Sequence, residues 1–309
     1  MGKPAEVTYI PGHTPPRSWK RLNIGDILTG LGCIIFLAWF FWRAMDITPH
    51  AWDWASVRPY LFYRDLTGNW QSGILLRGLY ATIRLGMWSM LLALVSGSLI
   101  GVLSAHQRGL AALPANIYIN ILRNTPPLVL LFLVFFFSGS FFTEPLLNVQ
   151  TWVQKTGPVC QATLGWLFGP PGQWDRMAGA ILTLGLYEGA YVAEIVRAGI
   201  ESVPKNQWEA STAQGFTRWQ QQRHIIAPQA IRLMLPPMIN QTISAFKDTT
   251  LASIISLPEL TFQSLEVMAV TRMTFELWLT TSVMYLLLSY IWALGGRWLE
   301  ERQRWRPLE

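Results

Sequence analysis

The chain has 309 residues, of which 51% are hydrophobic and 14% are charged, whereas an average soluble domain carries about 25% charged residues. Its net charge is +6, but the basic residues gather at the edges of apolar blocks, which argues against a nucleic-acid-binding surface. The two cysteines and four histidines are too scattered for a disulfide framework, a metal cluster or a catalytic triad.

The first apolar block, residues 24–42, predicts a membrane-spanning helix behind a short tail, residues 1–23. A cleaved signal peptide is the alternative, but its apolar region runs about 7–15 residues and ends at a small-residue cleavage site. This block is longer and is followed by RAMDITPH. We therefore expect a retained anchor.

Five further apolar segments approach the length of about 20 residues that a spanning helix needs. They are residues 74–104, 117–142, 177–198, 233–257 and 276–295. Polar residues interrupt the last two, which indicates faces turned toward other helices or a cavity. Shorter helices are expected near Val159–Phe168 and in LPELTFQSLEVMAVTRM, residues 257–273. The predicted fold is an all-α polytopic membrane protein with about six transmembrane helices.

The distribution of lysine and arginine predicts the orientation of these spans. Segments 1–23, 105–116, 199–235 and 297–309 carry 13 Lys and Arg, against six in segments 43–73, 143–176 and 259–275. Because cytoplasmic loops are the more basic ones, both termini and residues 199–235 are expected in the cytoplasm.

Residues 209–230, EASTAQGFTRWQQQRHIIAPQA, form a polar stretch in this cytoplasmic segment. Pro204 suits the first turn of a helix, and Gly215 can adopt the left-handed conformation that ends one. Thr217 and Gln220 fit a capping box that begins a second helix, which Pro228 limits or kinks. Small residues on the first helix allow another protein's backbone to approach closely, with Glu209 as a hydrogen-bonding anchor.

Several motifs together resemble one family. Glu209-Ala210-Ser211, Gly215, Ile225 and Ala227-Pro228 are similar to the coupling-loop pattern of permease subunits of binding-protein-dependent ABC importers. The segments RNTPPLVLLF, AYVAEIVRAGIESVP, IIAPQAIRLMLPPMIN and KDTTLASIISLPEL resemble the polar amino-acid branch of that family, which includes histidine, glutamine and general L-amino-acid permeases. The departures are Ser211, Ala227 and Asn206, where the family has alanine, leucine and glycine.

The resemblance covers about residues 74–300 and implies a type I importer permease fold, a five-helix core to which helix 24–42 is added. It implies three partners: an ABC ATPase dimer that binds ATP and Mg, a second permease subunit (a paralogue rather than an identical copy) and an external amino-acid-binding protein. It also implies that this chain lies in a bacterial inner membrane. The residues expected to contact the ATPase are Glu209, Ala210, Ser211, Gly215 and Pro228. Coupling through loop 204–228 would bias a two-state membrane domain.

A polar–aromatic stripe on the span 178–199 is the candidate substrate pathway. Tyr187, Glu188, Tyr191 and Glu194 recur at helical spacing, and a carboxylate in mid-span needs a cavity or a partner. Glu188 would suit an α-amino group or a cationic side chain, with Tyr187 and Tyr191 as walls and Asn240 and Gln241 as donors. The alternative is that Glu188 pairs with Lys247 and joins two helices.

Further polar residues are candidates for structural or gating roles. Glu194 can pair with Arg197 three residues on. The complete set of these candidates is Arg123, Glu194, Arg197, Lys247 and Asp248.

A competing function is a stand-alone secondary transporter or channel, which typically has inverted repeats. We find no internal repeat, and such a protein would not need the cytoplasmic loop. The chain has no G-x-x-x-x-G-K-[ST] phosphate-binding motif and no motif of a membrane enzyme. It is therefore expected not to be an enzyme itself, and no cofactor is expected in this chain.

Overall fold

The computed structural model describes residues 24–47, 53–105 and 112–304. The long helices are α1 (Ile24–Ile47), α3 (Ile74–Ala105), α5 (Pro127–Gln154), α7 (Trp174–Glu201), α10 (Ala227–Asp248) and α12 (Thr274–Arg304). The shorter ones are α2 (Arg58–Leu61), α4 (Ala112–Asn124), α6 (Pro158–Phe168), α8 (Lys205–Ala213), α9 (Arg218–Gln221) and α11 (Leu260–Thr271). The tail 1–23 and the last residues, 305–309, lie outside the described residues.

The chain forms two compact units, residues 1–52 and 53–309. In the first, α1 is a continuous helix of 24 residues, as expected for the predicted anchor. Its described apolar side chains are largely exposed, including Ile34 at 65% and Trp42 at 63%. Such a helix suits a lipid environment, because lipid solvates the apolar surface that water does not.

The second unit begins with a small hairpin before its first spanning helix. Strands β1 (Phe62–Arg64) and β2 (Trp70–Ser72) pair antiparallel, with Tyr63 opposite Gln71. Gly68, at φ +80°, lies in the turn, where glycine adopts a left-handed conformation without a steric cost. The hairpin was not predicted from the sequence.

Helices α3 and α7 form the centre of the bundle and approach each other at glycines. A Cβ atom on Gly97 would lie 2.5 Å from the carbonyl oxygen of Gly189, and one on Gly101 would lie 2.5 Å from that of Ala193. Small residues spaced by four allow membrane helices to pack backbone against backbone. The two helices therefore form a rigid frame on which α10 and α4 pack.

The predicted span 117–142 is broken in the structure. Helix α4 ends at Asn124, and α5 begins at Pro127 after a bend of 110°. Pro127 occupies the first position of α5, where its missing N–H is not needed, and Pro126 disfavours a helical conformation for Thr125. A broken helix at membrane depth must be buried in protein or line a water-filled cavity.

The other predicted spans are recovered to different degrees. Among the described residues, segments Ile74–Ala105, Pro158–Glu201 and Thr274–Arg302 are long and apolar enough to cross a membrane, and α4 with α5 is a fourth if the bent pair is one span. These segments confirm the predictions for 74–104, 177–198 and 276–295. Helix α10 is more polar and continues into a 3₁₀ segment, Thr249–Ile255. The total of about six spans stays a prediction.

Two short predicted helices are present. Helix α6 (Pro158–Phe168) matches the expected segment Val159–Phe168, and α11 (Leu260–Thr271) lies within residues 257–273. At the start of α11, Glu259 is fully buried and accepts hydrogen bonds from the backbone N–H groups of Thr261 and Phe262. It also accepts from Thr82 of α3 and Tyr285 of α12. One carboxylate thus joins three helices.

Candidate functional site

The polar stretch within residues 204–228 folds as the predicted helix, turn and helix. Helix α8 follows Pro204, which is its N-cap rather than its first residue. Gly215 has φ +79°, and Thr217 with Gln220 forms both hydrogen bonds of a capping box. These local predictions are confirmed.

The sequence predicts that Pro228 limits or kinks the second helix, but the helix does not end at this residue. Helix α9 continues through a π-helical segment, Gln222–Ile226, directly into α10, and Pro228 lies in the first turn of α10. The N–H of Ala227 donates to the carbonyl of Gln222, five residues back, and this widened turn accommodates the missing N–H of Pro228. The π-helical segment joins α9, which follows α8, to α10, the span that carries Gln241. Such π-helical segments are frequent at functional sites.

The predicted ATPase-contact residues do not all lie on one surface. Glu209, Ala210, Gly215 and Pro228 are exposed, whereas Ser211 is buried. The Ser211 hydroxyl donates to the carbonyl of Trp208 and accepts from the side-chain amide of Gln221. Ser211 therefore faces the bundle, where it holds α8 in place, and the expected role of its small side chain in a partner contact does not fit this position.

Gln221 is a residue that sequence reasoning missed. Its buried side chain also donates a hydrogen bond of 2.7 Å to the carbonyl oxygen of Trp208. Trp208 in turn packs against the apolar core beneath α8. Buried polar groups keep hydrogen bonds because leaving them unpaired costs about 1–3 kcal/mol. Within the run Gln220-Gln221-Gln222, no sequence signal distinguishes the clamping residue from its neighbours.

The polar–aromatic stripe is present on α7. The hydroxyl groups of Tyr187 and Tyr191 form a hydrogen bond of 3.1 Å. Their rings pack edge to face, with centroids 5.2 Å apart. Glu188 is fully buried and accepts a hydrogen bond of 2.5 Å from the side-chain amide of Gln241 on α10. The structure therefore brings Glu188 and Gln241 together.

The other residues of α10 are placed differently from the expectation. Asn240 and Lys247 are exposed, and Glu188 has no ion pair with Lys247 among the described residues. Its carboxyl group instead interacts with that of Asp248. The predicted alternative, a Glu188–Lys247 pair, is wrong, since Lys247 is exposed whereas Glu188 is fully buried. One oxygen of Glu188, Oε1, has no hydrogen-bond donor among the described residues.

A second polar group lies one turn further along α7. Arg197 contacts Glu194 through two nitrogens and Glu201 at 2.7 Å. The Arg123 guanidinium lies over the ring of Tyr191, 5.3 Å from its centroid, and 3.7 Å from Glu194. The expected Glu194–Arg197 contact is thus present, and Arg123 connects the tyrosine pair to it.

The polar group around Glu188 can bind a cationic group of a solute. A buried carboxylate with one unpaired oxygen can accept a hydrogen bond from an ammonium group, since charge-assisted bonds are the stronger ones. The described residues contain no group of three or more potential metal ligands. The arrangement is suited to binding and passage of polar solutes.

Comparisons with known proteins agree with this architecture. Residues 97–305 match the family model described as the binding-protein-dependent transport system inner membrane component. The chain is 29% identical to the glutamine transport system permease protein GlnP of Escherichia coli K12, over 82% of this chain and 98% of GlnP. It is 31% identical to the octopine transport system permease protein OccM of Rhizobium radiobacter, over 75% of this chain and 90% of OccM.

A solved structure has the same fold. A chain of an amino acid ABC transporter crystallised with histidines superimposes with a TM-score of 0.62 and 25% identity, over 82% of this chain and all of that chain. The family match alone covers more than half of the sequence. This multi-pass membrane chain therefore belongs to the inner-membrane components of binding-protein-dependent transport systems.

Proposed function

We propose that this chain is one of two permease subunits that form the pathway of an ATP-driven importer for amino acids. The observation that carries the proposal is the exposed helix α8, which is clamped to the bundle through Gln221 in a chain of this family. Relatives named for glutamine and octopine transport support an amino-acid substrate.

In this proposal α8 inserts into a groove on a separate ATPase, and Glu209, Ala210 and Gly215 face that partner. The ATPase dimer binds ATP and Mg, and an external binding protein delivers the substrate. The second permease subunit is a paralogue, and both termini lie in the cytoplasm. A movement of α8 reaches α10 because α9, the π-helical segment and α10 are continuous.

The substrate pathway is proposed to run beside α7, where Glu188 receives the α-amino group. Two features support this assignment: Oε1 of Glu188 has no hydrogen-bond donor among the described residues, and the Glu188 carboxyl group interacts with that of Asp248. An ammonium group beside this acidic pair would form charge-assisted hydrogen bonds. Tyr187 and Tyr191 form the neighbouring wall, and Gln241 holds the Glu188 carboxyl group in place.

The test is uptake by proteoliposomes that contain both permease subunits and the ATPase, with the binding protein outside. Each of the twenty amino acids is supplied in labelled form, with ATP or a non-hydrolysable analogue inside. We expect ATP-dependent uptake of at least one of them. Uptake by this chain without the ATPase would instead favour the secondary-transporter alternative, and ATP-dependent uptake of none would refute the amino-acid assignment.

A further inference from the structure

A polar cavity of about 400 Å³ lies beside α7, at the end of the helix that leads to α8. It is separate from Glu188, because the ring of Tyr191 and its hydrogen bond to Tyr187 lie between them along the helix. Ligand pockets commonly measure about 300–1,000 Å³. The cavity therefore has room for a solute of the size of an amino acid.

Two polar helix faces meet across this cavity. Asn116, Asn120 and Arg123 recur at helical spacing on α4 and are exposed. The opposite face, on α7, carries Glu194, Arg197 and Glu201. Polar residues at this density indicate a water-accessible recess at this end of α7 rather than a surface in contact with lipid.

The α7 face carries two carboxylates and one guanidinium. Arg197 contacts both Glu194 and Glu201 at hydrogen-bonding distance. Arg123 is different, since it approaches Glu194 only to 3.7 Å and donates no hydrogen bond to any described residue. Its guanidinium carbon lies over the ring of Tyr191, 5.3 Å from the centroid, and 37% of the side chain is accessible.

Arg123 also lies in the last turn of α4, directly before the break at Thr125 and Pro126. A cation near a helix C-terminus is stabilised by the helix dipole, so part of its role is structural. Dipole stabilisation does not use the hydrogen-bond donors of the guanidinium, however. An arginine with free donors in a fixed plane matches a carboxylate, which accepts two parallel bonds.

We propose that Arg123 binds the α-carboxylate of the amino acid in this cavity, forming a second binding station beyond the Tyr187–Tyr191 pair. The inference rests on the proposed amino-acid function. In this arrangement the ligand carboxylate takes the place of Glu194 beside Arg123, while Glu194 keeps its contacts with Arg197. Asn116 and Asn120 supply neutral donors and acceptors to the rest of the solute.

The test is equilibrium binding to the permease–ATPase complex in nanodiscs without the binding protein, which would recognise the substrate itself. The probes are the amino acid that proteoliposomes take up fastest and its α-amide, in which the carboxylate is blocked. Arg123→Gln is compared with Arg176→Gln, a control arginine on α7 that donates a hydrogen bond to the carbonyl of Ser256. Co-purification of the ATPase and basal hydrolysis report assembly.

We expect Arg123→Gln to weaken binding of the amino acid about tenfold or more, as loss of a charged hydrogen bond does, and to leave binding of the α-amide unchanged. Arg176→Gln should alter neither. Equal weakening of both probes would show a structural role only, and unchanged binding, or no binding by the unaltered complex, would also refute the inference. The proposed function has its own outcomes, since it fails if proteoliposomes take up no amino acid or if this chain takes one up without the ATPase.

Discussion

At the scale of single residues, Glu188 carries the sharpest functional prediction. It is fully buried, bonded to Gln241 and unpaired at one oxygen. Glu188→Gln should lower amino-acid uptake about tenfold or more, because a neutral amide gives up the charge-assisted bond to the substrate. The complex should still assemble and hydrolyse ATP.

A charge exchange provides the control for Glu188. Because Lys247 is exposed and does not contact Glu188, the double variant Glu188→Lys/Lys247→Glu should not restore uptake. Recovery of uptake or assembly in the double variant would mean that the two residues pair in the working protein, and it would contradict the pathway role.

Glu259 makes a pH-dependent contribution to stability. Burial raises the pKa of the Glu259 carboxyl to about 6 from the ordinary 4.5, although four groups donate hydrogen bonds to it. The folded protein then holds this proton more tightly than the unfolded chain. Its contribution to the free energy of unfolding should fall by about 2 kcal/mol as the pH rises from about 4.5 to about 6, and change little above that.

Thermal unfolding of the purified complex across this pH range measures the effect. Other carboxyl groups also titrate there, so the comparison is with Glu259→Gln, which keeps the shape and removes the titration. The unaltered protein should lose more stability than the variant between these pH values. Parallel pH profiles would contradict the assignment.

At the scale of elements, Gln221 is expected to keep α8 rigid. Gln221→Leu removes the donor to Trp208 and Ser211, at a cost of about 1–3 kcal/mol. A loosened α8 should reduce uptake more than it reduces ATP hydrolysis, because the ATPase turns over without moving α10. The ratio of uptake to hydrolysis is the measurement.

The control for this prediction is Gln214→Leu, on an exposed residue just after α8. That variant should keep the ratio of the unaltered complex. If Gln221→Leu keeps it too, α8 does not need the clamp for coupling.

The α3–α7 contact gives a prediction about packing. Gly97→Leu places a side chain where a Cβ atom alone would lie 2.5 Å from the Gly189 carbonyl oxygen. The helices must separate, and overpacking of this kind typically costs about 1–3 kcal/mol. The unfolding temperature of the purified complex should fall, whereas Gly295→Leu, at a position with nothing within 4 Å, should leave it unchanged. Equal effects would rule out a specific role for the α3–α7 contact.

The sequence was sufficient for elements whose pattern is local. Hydropathy located α3, α7 and α12, and the residues Thr217, Gln220 and Gly215 predicted their own capping and turn geometry. The break between α4 and α5 was missed because an apolar run continues across it, although the pair Pro126-Pro127 was a usable signal.

Contacts between distant segments were beyond the sequence. The partners of Glu259 come from α3, α11 and α12, and no periodicity brings them together. The same holds for Glu188, whose neighbour proved to be Asp248 rather than Lys247, since the two lie one residue apart on a helix and face different directions. The inward turn of Ser211 depends on Gln221, which lies ten residues further on.

In the whole molecule, helix α8 is connected through the continuous helix of α9 and α10 to the proposed substrate pathway beside α7. Helix α8 is clamped by Gln221, and the chain runs without a break from α9 to the Gln241–Glu188 contact. Coupling of this kind requires an element with two arrangements that both sites bias. Coupling in the proposed importer therefore requires contact between α8 and the ATPase.

Photo-crosslinking tests that contact most directly. A benzophenone amino acid is placed at the exposed Ala210 of α8 and, as a control, at Leu66 in the β1–β2 turn, which is also exposed. In a complex that still takes up substrate, irradiation should join position 210 to the ATPase and should not join position 66 to it. An active complex in which position 210 yields no ATPase adduct, or in which both positions yield it equally, would contradict the account.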